Sequence, residues 1–332
     1  MTRIDATRRL SRRDLLTLAA GAAALPLAHA QAYPNKPIRI VVPYGAGGAT
    51  DVLARVYGEK LSARLGQPIV IDNKAGAGGI LGTDTVAKAT PDGYTLLVSL
   101  STSMLINQFL YQKLPYNPAK DLALMSQLAS APITLAVHPD LPVKTGPELL
   151  AYMAANKGKL AYGSWGVGSH AHLAGAHMSR VQNADMSHVA YKGEAAMLTD
   201  LIGGQIQMAY ASALGVKPHA DNGRLRIVGV TGTKRMSVLP QVPTLLEQGM
   251  KDDVYSVVGF IGMAAPAGTP RELVQRVARE IDAIARLPEI TARVASMGFD
   301  MGATLPESFE AQYKKDLPIW QKLVADSGAR LD

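Results

Sequence analysis

Four stretches concentrate the groups that could act on a ligand. Residues 43–51 read P-Y-G-A-G-G-A-T-D, 73–79 read N-K-A-G-A-G-G, 99–103 read S-L-S-T-S and 163–170 read G-S-W-G-V-G-S-H. All offer glycine amides or hydroxyls, and none holds a pair of carboxylates. Glycine lets backbone N–H groups approach a ligand closely, and a helix that follows attracts negative charge at its N-terminus. The chemistry these types suit is therefore non-covalent capture of a small anion. Two sharper readings fail in detail. A dinucleotide fingerprint from Gly45 meets Thr50 where a third Gly or Ala is needed, and one from Gly76 meets Leu81 with Gly82 one place late. No serine sits in a G-x-S-x-G elbow, since Tyr162 precedes Ser164 by two places and Val167 precedes Ser169. The chain has no cysteine, which excludes thiolate catalysis, cysteine-ligated zinc and disulfides.

Some side chains near these loops carry narrower expectations. His170, His172 and His177 lie in no H-E-x-x-H pattern; on a helix, His170 and His177 share a face while His172 points away. The reading is a donor histidine, His170, at a cleft and two structural or exposed ones, with no metal. Asp51 falls in the first turn of a helix, where a carboxylate satisfies orphan N–H groups, so it is expected to fix its loop. Tyr191 ends a strand before Lys192 and Gly193 and is a candidate ligand contact. Ser101 is a further candidate hydroxyl, and Trp165, between glycines, is expected to wall the pocket.

The elements that must position these loops alternate. Strands at 38–42, 68–73 and 94–100 enclose helices at 51–65 and 81–89, and a second alternating series runs from 133 to 231. Each is a parallel α/β unit. Residues 254–266 read as one long strand, and the helical sequence after it has too few strands for a third domain. A hinged clamshell follows, with lobe one from 31–130 plus 257–332 and lobe two from 131–256. In open α/β sheets ligands sit at the carboxyl ends of strands, where all four loops fall.

Residues 1–30 have a basic start, thirteen apolar-rich residues from Leu15 to Leu27 and Ala28-His29-Ala30. That is an export signal, well short of the ~20 residues that span a bilayer. Ser11-Arg12-Arg13-Asp14-Leu15-Leu16 matches a twin-arginine pattern, and an ordinary Sec signal is the alternative. The expected compartment is the periplasm. Net charge is +7, partly in the signal, and only 5% of residues are aromatic. With no basic run interleaved with aromatics, this balance suits a small anionic ligand and no nucleic acid.

The set V-V-P-Y-x-x-G-G-x-x-D (41–51), N-K-A-G-A-G-G (73–79), Y-G-S-x-G-x-G-S-x-x-H-L (162–173), H-V-x-Y-K-G (188–193), D-L-I-G-G-Q-I (200–206) and A-P-A-G-T-P (265–270) resembles the Bug-type extracytoplasmic receptors of tripartite tricarboxylate transporters. The resemblance covers essentially the whole chain after the signal. It implies a two-lobed type II periplasmic-binding-protein fold, each lobe a mostly parallel sheet flanked by helices, with a small carboxylate held between them by amides, hydroxyls and waters. Carried over by position, Tyr44, Gly47 and Gly48 with Ala77, Gly78 and Gly79 grip one carboxylate from lobe one. Ser164, Gly168, Ser169 and Tyr191 close from lobe two. It further implies delivery to membrane permease subunits, and the chain is expected to act as a monomer without cofactor or catalysis. The rival reading is an exported enzyme with an unrecognised cofactor.

Overall fold

The computed structural model of the chain describes residues 33–302, 305–329 and 331. The expected export signal lies outside these described residues. The architecture is that of the unit Lys36–Asp332. An apolar run gives β1 (Ile38–Val42), and after the first glycine loop the chain enters α1 (Ala49–Leu65). β2 (Ile69–Asn73) follows, then a short helical turn at Ala77–Gly79, α2 (Ile80–Ala87) and β3 (Thr95–Leu100). β1 pairs parallel with both β2 and β3, as helical crossovers require. A wide helical turn at Thr102–Ile106 runs into α3 (Asn107–Leu110), followed by α4 (Pro118–Asp121) and β4 (Leu122–Ala131).

β4 is absent from the sequence reading. Its residues, L-A-L-M-S-Q-L-A-S-A, include no β-branched or aromatic side chain and carry no strand signal of their own. Tertiary pairing makes the strand, because β4 lies between two antiparallel neighbours.

The second series builds β5 (Thr134–Val137), α5 (Gly146–Ala155), β6 (Ala161–Ser164), α6 (His170–Val181) and β7 (Ser187–Ala190). It continues through α7 (Glu194–Ile202), β8 (Met208–Ala211), α8 (Ala213–Asp221) and β9 (Arg226–Val230). Thr145, Ser169 and Ser212 cap α5, α6 and α8, each accepting the N–H three residues on. The chain then forms α9 (Asp253–Ser256) and β10 (Gly259–Pro266), so the long strand expected over 254–266 is a helical turn followed by a shorter strand. α10 (Arg271–Ala285), α11 (Pro288–Ser296), β11 (Asp300–Met301) and α12 (Pro306–Ser327) complete it.

Two sheets result, ordered β11-β4-β10-β3-β1-β2 and β7-β6-β8-β5-β9. Both are mixed, where mostly parallel sheets were expected. β10 runs antiparallel to β3 and to β4, and β5 runs antiparallel to β8 and to β9. The cause is connectivity: β4 leads directly towards β5 in the other sheet, and β10 brings the chain back in the opposite sense. Each sheet buries its own core, Ile40, Leu53 and Tyr57 in the first, Leu135, Leu173 and Met208 in the second. On α10, Val274, Val277, Ile281 and Ile284 recur at helical spacing and are buried, each contributing about 1.5–3 kcal/mol. α12 covers more than the first lobe: it packs on β4 and also on α6 of the second.

Candidate functional site

The lobes meet where backbone approaches backbone. Gly45 N–H points at Lys192 O, 3.4 Å away. A Cβ added at Gly78 would stand 2.7 Å from Val167 O. Gly168, with φ +79°, lies so close to α3 that a Cβ there would fall 2.1 Å from Leu110 Cδ1. At Gly78 and Gly168 there is no room for a side chain, so glycine is what allows the backbones to approach there.

Between the lobes lies a cavity built from strand ends and helix starts. Lobe one supplies Tyr44, Gly48, the first turn of α1 at Ala49–Asp51, Ser101 and Thr102; lobe two supplies Trp165, His170, Glu194 and Ser212. Phe260, Ile261 and Phe299 give it an apolar sector. The first amides of α1 have no intrahelical acceptor and are placed to meet a ligand. No lysine or arginine is among the lining residues. Tyr44 and Trp165 also line a neighbouring cavity, shared with Gly76–Gly79, Val167, Tyr191 and Lys192, and so stand between the two.

Three polar atoms of residues that line this cavity are unusual in what they lack. Tyr44 Oη, Trp165 Nε1 and His170 Nδ1 are buried without a hydrogen-bond partner, whereas native interiors pair nearly all such atoms. Tyr44 Oη sits beside the hydroxyls of Ser99, Ser103 and Thr102, none in bonding geometry; burial pushes its phenol up to about 12, those hydroxyls only partly offsetting it, so it stays a donor. Ser99 and Ser103 bond each other at 2.7 Å, and Ser101 and Thr102 are the hydroxyl-bearing members of that stretch on the cavity, beside Leu100. His170 Nε2 lies 3.3 Å from Val254 O and therefore carries the proton that bonds it. Nδ1 is then a bare acceptor, and burial lowers the ring to about 4, against the donor role expected from sequence.

Asp51 is buried, yet it is fully engaged. It accepts from Gly47 N–H at 2.9 Å, from Arg55 Nε and Nη2 at 3.0 Å each, and from Asn73 Nδ2 at 3.0 Å. Burial alone would raise its carboxyl; Arg55, the Gly47 amide and Asn73 together hold it below the usual value. This is the loop-fixing geometry that a first-turn carboxylate suggests. Gly47, at φ +81°, turns its amide onto Asp51 and does not line the cavity.

The candidate residues thus divide. Tyr44, Gly48, Ser101 and His170 line the main cavity, and Ala77, Gly78, Gly79 and Tyr191 the neighbouring one. Tyr191 Oη donates to Asp200 at 2.7 Å. Ser164, Gly168 and Ser169 line neither and instead build the loop that carries Trp165. Ser164 Oγ donates to Gly166 O at 2.9 Å and meets His188 Nε2 at 2.8 Å. With its proton on a carbonyl and its lone pairs occupied, it is a strut and no nucleophile. His172 stacks on His188 with centroids 4.0 Å apart, and His177 pairs with Asp252 at 2.7 Å. Among the described residues no cluster of side chains could hold a metal.

Sequence reasoning missed Glu194 and Ser212. Both sit at a strand-to-helix joint, α7 and α8 beginning there, so the strand-end rule could have found them. Phe260 and Phe299 carry no such signal.

Two lobes, each an α/β sheet, with donor-rich loops converging between them define a solute-binding receptor. Residues 53–324 match the family described as tripartite tricarboxylate transporter family receptor, and the chain belongs to it. It is 32% identical over 303 residues to BugT of Bordetella pertussis, covering 91% of this chain and 92% of that one. Among solved structures, the periplasmic binding protein BugD superposes with a TM-score of 0.84 at 31% identity, over 90% of this chain and 99% of that one. Rpa4515 of R. palustris, solved with adipate, gives 0.86 at 30% identity, over 90% and 100%. The family and these neighbours are binding receptors, not enzymes. No helix among the described residues is long and apolar enough to cross a membrane.

Proposed function

We propose that the protein is a periplasmic receptor that captures a small organic carboxylate between its lobes and delivers it to the permease subunits of a tripartite tricarboxylate-type transporter. The observation that carries the reading is the set of donor-bearing residues around the main cavity: the first turn of α1, Ser101, Thr102 and Trp165, with Tyr44 between this cavity and its neighbour and no cationic side chain among them. Such a site binds an anion by dipoles and hydroxyls, which lets it release its cargo more readily than a buried ion pair would. The family membership and the adipate bound by a structural neighbour support the ligand class.

Residues 31–130 with 257–332 form lobe one in this reading, 131–256 form lobe two, and the receptor works as a monomer exported by the signal at residues 1–30. Tyr44, Gly48 and Ser101 contact the ligand directly. Ala77, Gly78, Gly79 and Tyr191 face it from the neighbouring cavity, while Gly47, Asp51, Ser164, Gly168 and Ser169 hold the loops. Mass spectrometry of acids released from freshly purified protein, followed by calorimetry with the acid found, tests this. Release of a carboxylic acid in near-stoichiometric amount is expected. If calorimetry finds no heat with that acid, and a panel of mono-, di- and tricarboxylates gives no thermal stabilisation, the reading is wrong.

A further inference from the structure

Donors account for only part of the main cavity. On the lobe-two side Glu194 lines it, at the first position of α7. Its carboxylate accepts from Ser212 N–H at 2.8 Å and from Ser212 Oγ–H at 2.6 Å. These two bonds leave carboxylate lone pairs unused, and among the described residues no lysine or arginine forms an ion pair with it. A second acceptor lines the same cavity: His170, 3% exposed, whose Nδ1 is unpartnered and unprotonated because Nε2 carries the proton to Val254 O. Asp51 differs from both, since Arg55 answers its charge. Glu194 is answered only by the N-cap amide and hydroxyl of α8 and by no side-chain cation; a simple diacid gains nothing from such a carboxylate beside it, because like charges repel. A ligand with a positive, hydrogen-donating group at one end would supply what Glu194 and His170 lack.

We infer that the ligand is an amino acid in the broad chemical sense, a carboxylate that also carries an ammonium group, and that Glu194 reads the ammonium while His170 Nδ1 accepts one of its protons. This rests on the carboxylate reading and narrows it. The donors of lobe one take the carboxylate, and the apolar sector at Phe260, Ile261 and Phe299 covers the carbon chain between. Glu194 is thus a specificity-determining residue. Burial raises its carboxyl and Ser212 only partly offsets this, so the ionised form is the one that a ligand's ammonium would have to favour.

The test is calorimetry on the signal-free protein with matched sets: α- and ω-amino acids against the deaminated, hydroxylated and dicarboxylic acids of equal chain length, adipate included. At least one amino acid should bind roughly ten- to hundredfold tighter than all its matched analogues, the range expected for one charge-assisted hydrogen bond. Glu194→Gln, which can still accept from Ser212, should collapse that ratio towards one, whatever it does to the affinity for the deaminated acids. His170→Phe should lower the ratio by a smaller factor. If a diacid or hydroxy acid binds best, or if E194Q leaves the ratio unchanged, the inference is overturned while the carboxylate reading stands. If no acid of any set binds, both fall.

Discussion

Tyr44 and Asp51 are both buried at the mouth of one loop, and they differ in whether their polar atoms are satisfied. Tyr44 Oη has no partner to lose, so Tyr44→Phe should change unfolding free energy by less than about 1 kcal/mol while weakening ligand binding roughly five- to twentyfold. Urea unfolding and calorimetry on the same sample check this; a large loss of stability would mean the hydroxyl is structural. Asp51 makes four hydrogen bonds, two of them to Arg55, and should behave in the opposite way. Asp51→Asn removes the charge that Arg55 and the Gly47 amide answer. It should cost about 1–3 kcal/mol of stability and weaken binding with it, since the first turn of α1 depends on that loop. An unchanged dissociation constant would show that the loop does not serve the site.

At the scale of elements, closure depends on loops that fit only without side chains. Gly168→Ala adds a carbon that would lie 2.1 Å from Leu110 Cδ1, at a φ of +79° that alanine resists. It should weaken ligand affinity at least tenfold by holding the 164–169 loop away from α3. Leu110→Ala in the same chain removes the colliding group and should recover part of the loss, though the backbone strain remains; a double-mutant cycle that comes out additive would contradict the contact. The strand–glycine–helix joints that shape this seam were legible because β1, β6 and their loops are local patterns: an apolar run, then glycines, then a cap. β4 was not legible, because nothing in its residues prefers a strand and only β10 and β11 make it one. The candidate site divided along the same line. Tyr44, Gly48, Ser101 and His170, read from the loops themselves, line the main cavity, while Glu194 and Ser212, which also line it, required knowing that two separate joints converge. Ser164, Gly168 and Ser169 were placed in the right loop, but their bonds turn inward, a direction that spacing does not encode.

Across the whole molecule, α12 and the buried histidines tie the site to stability. Trp320 of α12 is fully buried and meets the His170 ring edge-on at 5.2 Å, so a helix packed on β4 also touches the cavity wall. Burial lowers His170 and His172 to about 4; it lowers His188 to about 3, with the neighbouring His172 adding to the effect. An unfolded chain protonates these rings near 6.5, whereas the folded protein keeps them neutral to much lower pH. The unfolded state therefore binds more protons as pH falls below about 6.5, and stability is lost from there down to the folded values, by at most about 1.4 kcal/mol per pH unit for a fully buried ring and less for the partly exposed ones. Glu194 works the other way: its raised carboxyl takes up a proton in the folded state first, which offsets part of the loss as pH falls through that value. Asp51, held low, adds its own loss only below the ordinary carboxylate range near 3.9. Between pH 6.5 and 4.5 the histidines should thus dominate, and urea unfolding across that window should show a steady decline. His188→Gln keeps a donor for Ser164 and removes one titrating ring, so its slope over the window should be shallower, by less than the ~1.4 kcal/mol per pH unit of a fully buried ring because His188 is only partly buried. A flat profile, or a His188→Gln slope equal to that of the parent, would mean that the rings are solvated in the folded protein and that the loop bearing Trp165 is not packed on them as described.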